Sequence, residues 1–370
     1  MTKISLPKLE LEKFLALSSY TNLTTECIQL LPDTEYIKVD LKRGFCNLSL
    51  TSVSSFVTYM FSCQDQQEAT LLISIIHLRE FLKGKRKDII TIQDEAAKTI
   101  FSDGNFKLSK PKNIEIKIEY FTQIPTSKGL PYKRFNRDII LKLIQSKKYV
   151  ELKDKLRPLL NMSSIKVDKL LATDGTISCF YSLSEKFDFE VLSIKEIDLI
   201  SEFEYVDYCK TDNWNIIKYK TIVYGSRLTE GLNPGQLHET IEGMISILDK
   251  SKIIKVNVDQ LYDFCNSIKS SHKDPTVASL VEVSSDGLIL SYEDKQNSIE
   301  AAQPITATII GYEVGYSFKI YQFQIMKVMD SLNSEWINIS ECISENGSKS
   351  YIGFWLDSDP SFHSICSKAI

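Results

Sequence analysis

No stretch of this 370-residue chain is apolar for long enough to cross a bilayer. Its most apolar run, ATLLISIIHL, is interrupted by Ser74 and His77. The start, MTKISLPKLELEKF, lacks the apolar core of a signal peptide. The eight cysteines (27, 46, 63, 179, 209, 265, 342 and 366) include no C-x-x-C pair and no close Cys/His set. This spacing favours free buried thiols over disulfides or zinc. These absences together predict a soluble cytoplasmic protein without a membrane contact or a metal. Positive charge is not in excess either: 44 Lys and Arg face 48 Asp and Glu, a net of −4. A low net charge leaves open a local basic face, which is what a nucleic acid feels. Nucleophile elbow, P-loop, H-E-x-x-H and dinucleotide glycine motifs are all missing, and the four histidines (77, 238, 272, 363) are scattered. An Asp174/Glu196 acid–base pair has nothing else assembled around it. The expectation is a protein that is not an enzyme and carries no cofactor.

What is present is repetition. NVDQLYDFCNSIKSS from Asn257 places Leu261, Phe264, Cys265 and Ile268 on one helical face behind an N-capping asparagine. NRDIILKLIQSKK from Asn136 and LELEKFLALSS near the N-terminus repeat the spacing. A second helix type begins at Ser74 (SIIHLREFLKG) and at Ser193, where Glu196 completes a capping box. Its third copy is placed at Ser317 in SFKIYQFQIMKVMDSL. Each helix is followed by strand-like alternation. Three units over 1–127, 128–249 and 250–370, each itself double, predict an α+β fold of helices packed on antiparallel sheets.

Modules that present the same helix face six times suit a solenoid or a closed ring. First-type helices carry Lys8 and Lys13, then Arg137, Lys142, Lys147 and Lys148, then Lys269 and Lys273. Second-type helices or their ends carry Arg79, Lys83, Lys85, Arg86 and Lys87, then Lys195, then Lys319 and Lys327. Any one of these keeps a helix wet; together they form a candidate phosphate-facing surface that reads no bases.

Two Asp-Gly pairs test the repeat. Asp286-Gly287 sits between alternating runs, VASLVEV and LILSY, and reads as a hairpin turn. Asp174-Gly175 is out of register with it, and Asp168 is nearer the expected turn. Asp174-Gly175 is therefore expected to break a following strand as a bulge, a candidate binding site.

The segment Leu171-Ala172-Thr173-Asp174-Gly175 resembles the A-T-D-G stretch of the bacterial DNA polymerase III β subunit, the sliding clamp. LRPLLN (156–161), SRLTEGLNP (226–234) and the final EWINISECISENGSKSYIGFWL are similar to other stretches of that family, and element order agrees over almost the whole chain. The resemblance implies three clamp domains per subunit and a head-to-tail homodimeric ring around double-stranded DNA. It implies a pocket for short linear peptides of the replicative polymerase and the clamp loader. One pocket wall would be Leu160, Thr173, Gly175, Thr176, Ile177 and Pro234, and the other Phe354, Trp355 and Leu356. Two departures stand out: Thr176-Ile177 replace the family's His-Arg, and a tail, SDPSFHSICSKAI, continues beyond Leu356. The competing expectation is a clamp-like interaction module that holds partners without being loaded on DNA.

Overall fold

The computed structural model describes the chain apart from residues 1, 22, 24–27, 30, 113–120, 122–123, 126, 151–156, 229–233, 249, 272–276, 295–298, 344–349 and 369–370. In chain order, β1 (Thr2–Pro7) leads into α1 (Lys8–Ser18), followed by β2 (Tyr36–Lys42), β3 (Phe45–Thr51), β4 (Ser55–Ser62) and β5 (Ala69–Ser74). Helix α2 (Ile75–Leu82) precedes β6 (Ile89–Asp94), β7 (Lys98–Ser102) and β8 (Lys107–Pro111). The pattern restarts with β9 (Lys133–Phe135), α3 (Arg137–Ser146), β10 (Met162–Thr173) and β11 (Ile177–Ser193), then α4 (Ile194–Ser201), β12 (Val206–Lys210), β13 (Trp214–Tyr219) and β14 (Ile222–Arg227). After α5 (Gly235–Ser246) it runs a third time. First come β15 (Ile253–Asn257), α6 (Val258–Ser271), β16 (Ala278–Ser284), β17 (Gly287–Asp294), β18 (Ile299–Ile305), β19 (Ala307–Ile310) and β20 (Ser317–Tyr321). Helix α7 (Gln322–Ser331), β21 (Trp336–Ile343), β22 (Ser350–Trp355) and β23 (Phe362–Ser367) complete it.

The helix starts follow the capping logic of the sequence. The Ser74 hydroxyl accepts the His77 N–H at 3.2 Å, and the Asn257 side chain accepts that of Gln260 at 3.1 Å. Ser193 and Glu196 close a reciprocal capping box, Ser193 N–H to Glu196 Oε2 at 2.6 Å and Glu196 N–H to Ser193 Oγ at 3.3 Å. The third second-type helix starts later than expected. Ser317–Tyr321 is a strand, because Phe318 and Ile320 are buried while Ser317 and Lys319 are exposed, a period of two rather than 3.6.

The chain forms two compact units, one of Met1–Arg137 with Asp198–Glu230, the other of Asp138–Ile197 with Gly231–Ile370. The first contains an antiparallel four-stranded sheet, β1-β6-β7-β8, and an eight-stranded one, β5-β2-β3-β4-β14-β13-β12-β9. The larger sheet is made where β14 pairs with β4, Gly225 opposite Phe56. A Cβ on Gly225 would lie 2.1 Å from the Phe56 ring, so glycine is required for that ring to cover the joint. The second unit contains the four-stranded β18-β17-β16-β20 and the seven-stranded β10-β11-β23-β22-β21-β15-β19. Here β23 pairs with β11 as β14 does with β4.

Asp286-Gly287 behaves as expected: Ser284 pairs with Gly287 across a tight turn in which Gly287 has φ +138°. Asp174-Gly175 corrects its expectation. It too is a hairpin turn, joining β10 to β11 with Thr173 opposite Ser178. The irregularity lies farther from the turn, where β11 runs from Phe189 to Ser182 against only Lys166 to Lys169 of β10, and Val167 there has φ +58°. Nor are the residues after Leu356 an appended tail. Phe362–Ser367 form β23, an interior strand between β11 and β22.

Candidate partner-binding face and nucleic-acid surface

The hairpin at residues 173–177 is built around one carboxylate. Asp174 Oδ1 accepts the backbone N–H groups of Thr176 (2.8 Å) and Ile177 (3.0 Å) and the Thr176 hydroxyl (2.7 Å). Gly175, at φ +87°, donates its N–H to Thr173 Oγ1 at 3.0 Å. The other oxygen, Oδ2, accepts Lys327 from α7. Burial raises the carboxyl's pKa, but Lys327, the Thr176 hydroxyl and the two backbone N–H groups outweigh it, and Asp174 titrates below the ordinary carboxylate range.

Alternation divides the seven-stranded sheet into two faces. On one, Leu171, Phe180 and Ile365 form a cluster covered by Ile241 and Leu248 of the α5 segment, with Leu237, Met244 and Tyr351 packed beside them. Leu248 sits where a Cβ on Gly353 would be, 2.0 Å from it. His238 of α5 is fully buried; its Nε2 is 2.9 Å from Ser164 Oγ and its ring meets Phe180 edge-on at 6.4 Å. Burial, with Lys166 nearby, pushes His238 down to about 4. Lys166 also bridges to Glu239 at 3.0 Å, a second tie of the helix to β10. The opposite face carries Cys179, Ser364 and Cys366, and against it lies Tyr149, whose hydroxyl is 2.7 Å from Ser331 Oγ of α7.

This division separates the residues expected to share a pocket. Thr173 pairs with Ser178, and Ser178 with Ile365, so all three belong to the α5 face. Leu160 joins them at the hairpin, its Cδ1 3.2 Å from the position of a Cβ on Gly175. Thr176 is exposed and Pro234 is buried at the start of α5. Ile177, one residue out of phase, belongs with Cys179 in the core at 1% exposure. Phe354 is fully buried on that same opposite face, whereas Trp355 shares the α5 face through its pairing with His363. Leu356 is buried just past the end of β22. The strand beside the hairpin is thus β23, not the Phe354–Leu356 strand, and it brings Ile365, which sequence reasoning passed over. The alternation of Phe362, Ser364 and Cys366 against His363 and Ile365 was the signal available for it.

The candidate phosphate-facing residues are mostly committed to neighbours. Lys8 pairs with Glu12 (3.4 Å), Lys13 with Glu10 (3.1 Å) and Lys142 with Asp138 (3.1 Å), while Lys327 holds Asp174. Arg79 donates to Ser18 Oγ and Arg137 to the Phe203 carbonyl. Lys269 lies over the Phe323 ring, and Lys147, Lys195 and Lys319 also interact with neighbours. Lys148 is exposed, and Lys273 is outside the described residues. Lys83, Lys85 and Lys87 are exposed and in no ion pair among the described residues; Arg86 stacks on two phenylalanines.

Comparison with solved structures accounts for this arrangement over the full chain. It matches the β sliding clamp of Caulobacter crescentus (TM-score 0.80, 13% identity, covering 99% of this chain and 98% of that one). The Pseudomonas aeruginosa DNA polymerase sliding clamp gives TM-score 0.78 at 14% identity, over 100% and 99% of the chains. The DNA polymerase III β chain of Streptococcus pneumoniae gives TM-score 0.77 at 15% identity, over the whole of both chains. The fold is that of the DNA sliding clamp. No protein-family model and no curated protein sequence matches the chain. The clamp fold explains why helix pairs and antiparallel sheets recur, and why β14 meets β4 as β23 meets β11.

Proposed function

We propose that this chain is a DNA polymerase processivity factor. Two copies close into a ring around duplex DNA, and partners are tethered through short linear peptides. One observation carries the ring. Within the chain, the last strand of a three-strand module twice pairs with the preceding module: β14 with β4, and β23 with β11. The two four-stranded sheets resemble unjoined halves of such a sheet, and among the described residues β8 ends one and β18 the other, each as an open edge. Open edges are sticky unless covered. Antiparallel pairing of β8 with β18 of a second copy covers both edges at both ends and closes the assembly head to tail. Phe106, 43% exposed just before β8, supplies an apolar contact there. Lys107 on β8 and the facing acids Glu293 and Glu300 on β17 and β18 supply opposite charge.

In this reading residues 1–127, 128–249 and 250–370 are the three clamp domains, and none catalyses a reaction. The peptide site lies at the 173–177 hairpin, where Gly175 and Thr176 are exposed, with Leu160, Thr173 and Pro234 supporting them and Ile365 on the neighbouring strand. It receives apolar anchors of polymerase and loader peptides. The protein works in the cytoplasm, where DNA is replicated. Retention on DNA tests the reading. After loading by an ATP-driven loader, the ring stays on nicked circles and is lost when the circle is cut. A module that only holds partners gives equal retention on circles and linear DNA, and that result overturns the proposal.

A further inference from the structure

The cations on the helices are largely cancelled, but one short segment is not. Residues 83–87, KGKRK, join α2 to β6 and carry four cations in five positions of a chain whose net charge is −4. Arg86 is spent on building the segment. Its guanidinium stacks over Phe106 (4.1 Å to the ring centroid) and Phe81 (4.9 Å), and its Nε donates to the Phe81 carbonyl at 2.8 Å. Gly84 makes room for it, since a Cβ there would lie 2.7 Å from Arg86 Nη1. The Lys87 N–H is held by Asp103 Oδ2 at 3.3 Å, and the same carboxylate caps Asn105 and Phe106 through Oδ1. Lys83, Lys85 and Lys87 are left exposed on a fixed backbone. Of the nearby acids, Glu80 takes Lys110 at 2.9 Å, with Lys83 a weaker influence on it, Asp103 takes backbone N–H groups, and only the exposed Asp88 follows directly in the chain.

We propose that the 83–87 segment is the principal phosphate-contact site of this chain, so that grip on the nucleic-acid backbone is concentrated in one turn per protomer instead of spread over the helices. The inference rests on the reading of the protein as a DNA clamp. Helix lysines that sit within one turn of a carboxylate add little net positive potential, because the acid repels the phosphate that the lysine attracts. Three unpaired ammonium groups lose only water and release condensed counterions from the DNA, and that release supplies most of the free energy of sequence-independent binding.

The test is equilibrium binding of a short linear duplex across a salt series. Three proteins are compared: the wild type, the Lys83→Ala/Lys85→Ala/Lys87→Ala variant, and a control with Lys8→Ala/Lys13→Ala/Lys142→Ala. Each lysine lost from a phosphate removes about 0.9 from the slope of log K against log salt. The loop variant should therefore lose roughly 2.7 in slope, making the affinity ratio between 50 and 200 mM salt about fortyfold smaller. The control should keep the wild-type slope. Equal losses in the two variants, or an unchanged loop variant, overturn the proposal, as does loop-dependent binding to anionic vesicles or an acidic peptide without binding to duplex. Circular dichroism melts confirm that both variants are folded. Retention of wild-type protein on nicked circles is scored separately: a clamp that stays on circles while its loop variant binds unchanged refutes this site and leaves the clamp reading intact.

Discussion

At the scale of single residues, Asp174 shows how one side chain can be essential without being chemical. It satisfies two backbone donors and a hydroxyl in the turn and anchors Lys327, with a side chain only 5% exposed. Replacing it with alanine strands those donors and leaves a half-buried ammonium without its counter-charge, at a cost of roughly 2–4 kcal/mol. Asp174→Asn keeps the Oδ1 acceptor and loses only the charge, so it should cost about half as much. Urea unfolding of the two variants measures the difference. Because folding lowers the Asp174 pKa, its contribution is present above pH 3.8 and disappears as pH falls through the folded value. The residue's importance was visible in the sequence, but its role was not. Asp174-Gly175 reads as a bulge from spacing alone because its hairpin follows α3 at a greater distance than the Asp286 hairpin follows α6.

At the scale of the element, α5 is the feature that no repeat predicted. It is a seventh helix among the described residues, laid on the Leu171–Phe180–Ile365 face by Ile241 and Leu248. Its attachment depends on a neutral histidine. The folded His238 pKa of about 4 lies below its ordinary 6.5, so between those values the unfolded chain binds a proton that the folded chain excludes. Stability therefore falls as pH drops from 6.5 to 4 and changes no further below that, by about 3 kcal/mol in all for this group. His238→Gln should roughly halve the fall of the unfolding free energy over that window, leaving the comparable contribution of His363, which burial also pushes to about 4. Stability curves at pH 7, 5.5 and 4.5 for the two proteins decide it; an unchanged slope removes His238 as the cause. Three of the other helices were legible because capping is local: Ser74, Ser193 and Asn257 mark their starts within four residues. Helix α7 begins at Gln322, five residues after Ser317, because the amphipathic strand in front of it reads in the sequence as more helix.

At the scale of the whole molecule, the prediction concerns closure. A β8–β18 contact places Phe106 in an interface, so Phe106→Asp should convert a dimer into a monomer at micromolar concentration while the Arg86 stack is weakened only locally. Sedimentation velocity reads the change in mass directly. A wild-type protein that sediments as a monomer at every concentration removes the ring itself. Loss of the dimer should also abolish retention on nicked circles, since an open subunit has no topological hold.

The amino-acid sequence by itself determined what is local and periodic: capped helices, alternating strands, their threefold recurrence and the class of fold. These features depend on neighbours a few residues away, and their physics is complete within a short window. Tertiary structure alone decided which strand lies beside the hairpin, which side of the sheet each residue faces, and which lysines keep their charge available. Side chains alternate between the faces of a sheet, and the position of the turn puts Ile177 on the Cys179 face, in the core. An acid brought near by folding cancels a cation, and a strand inserted from the chain's end, β23, replaces the one that seemed last.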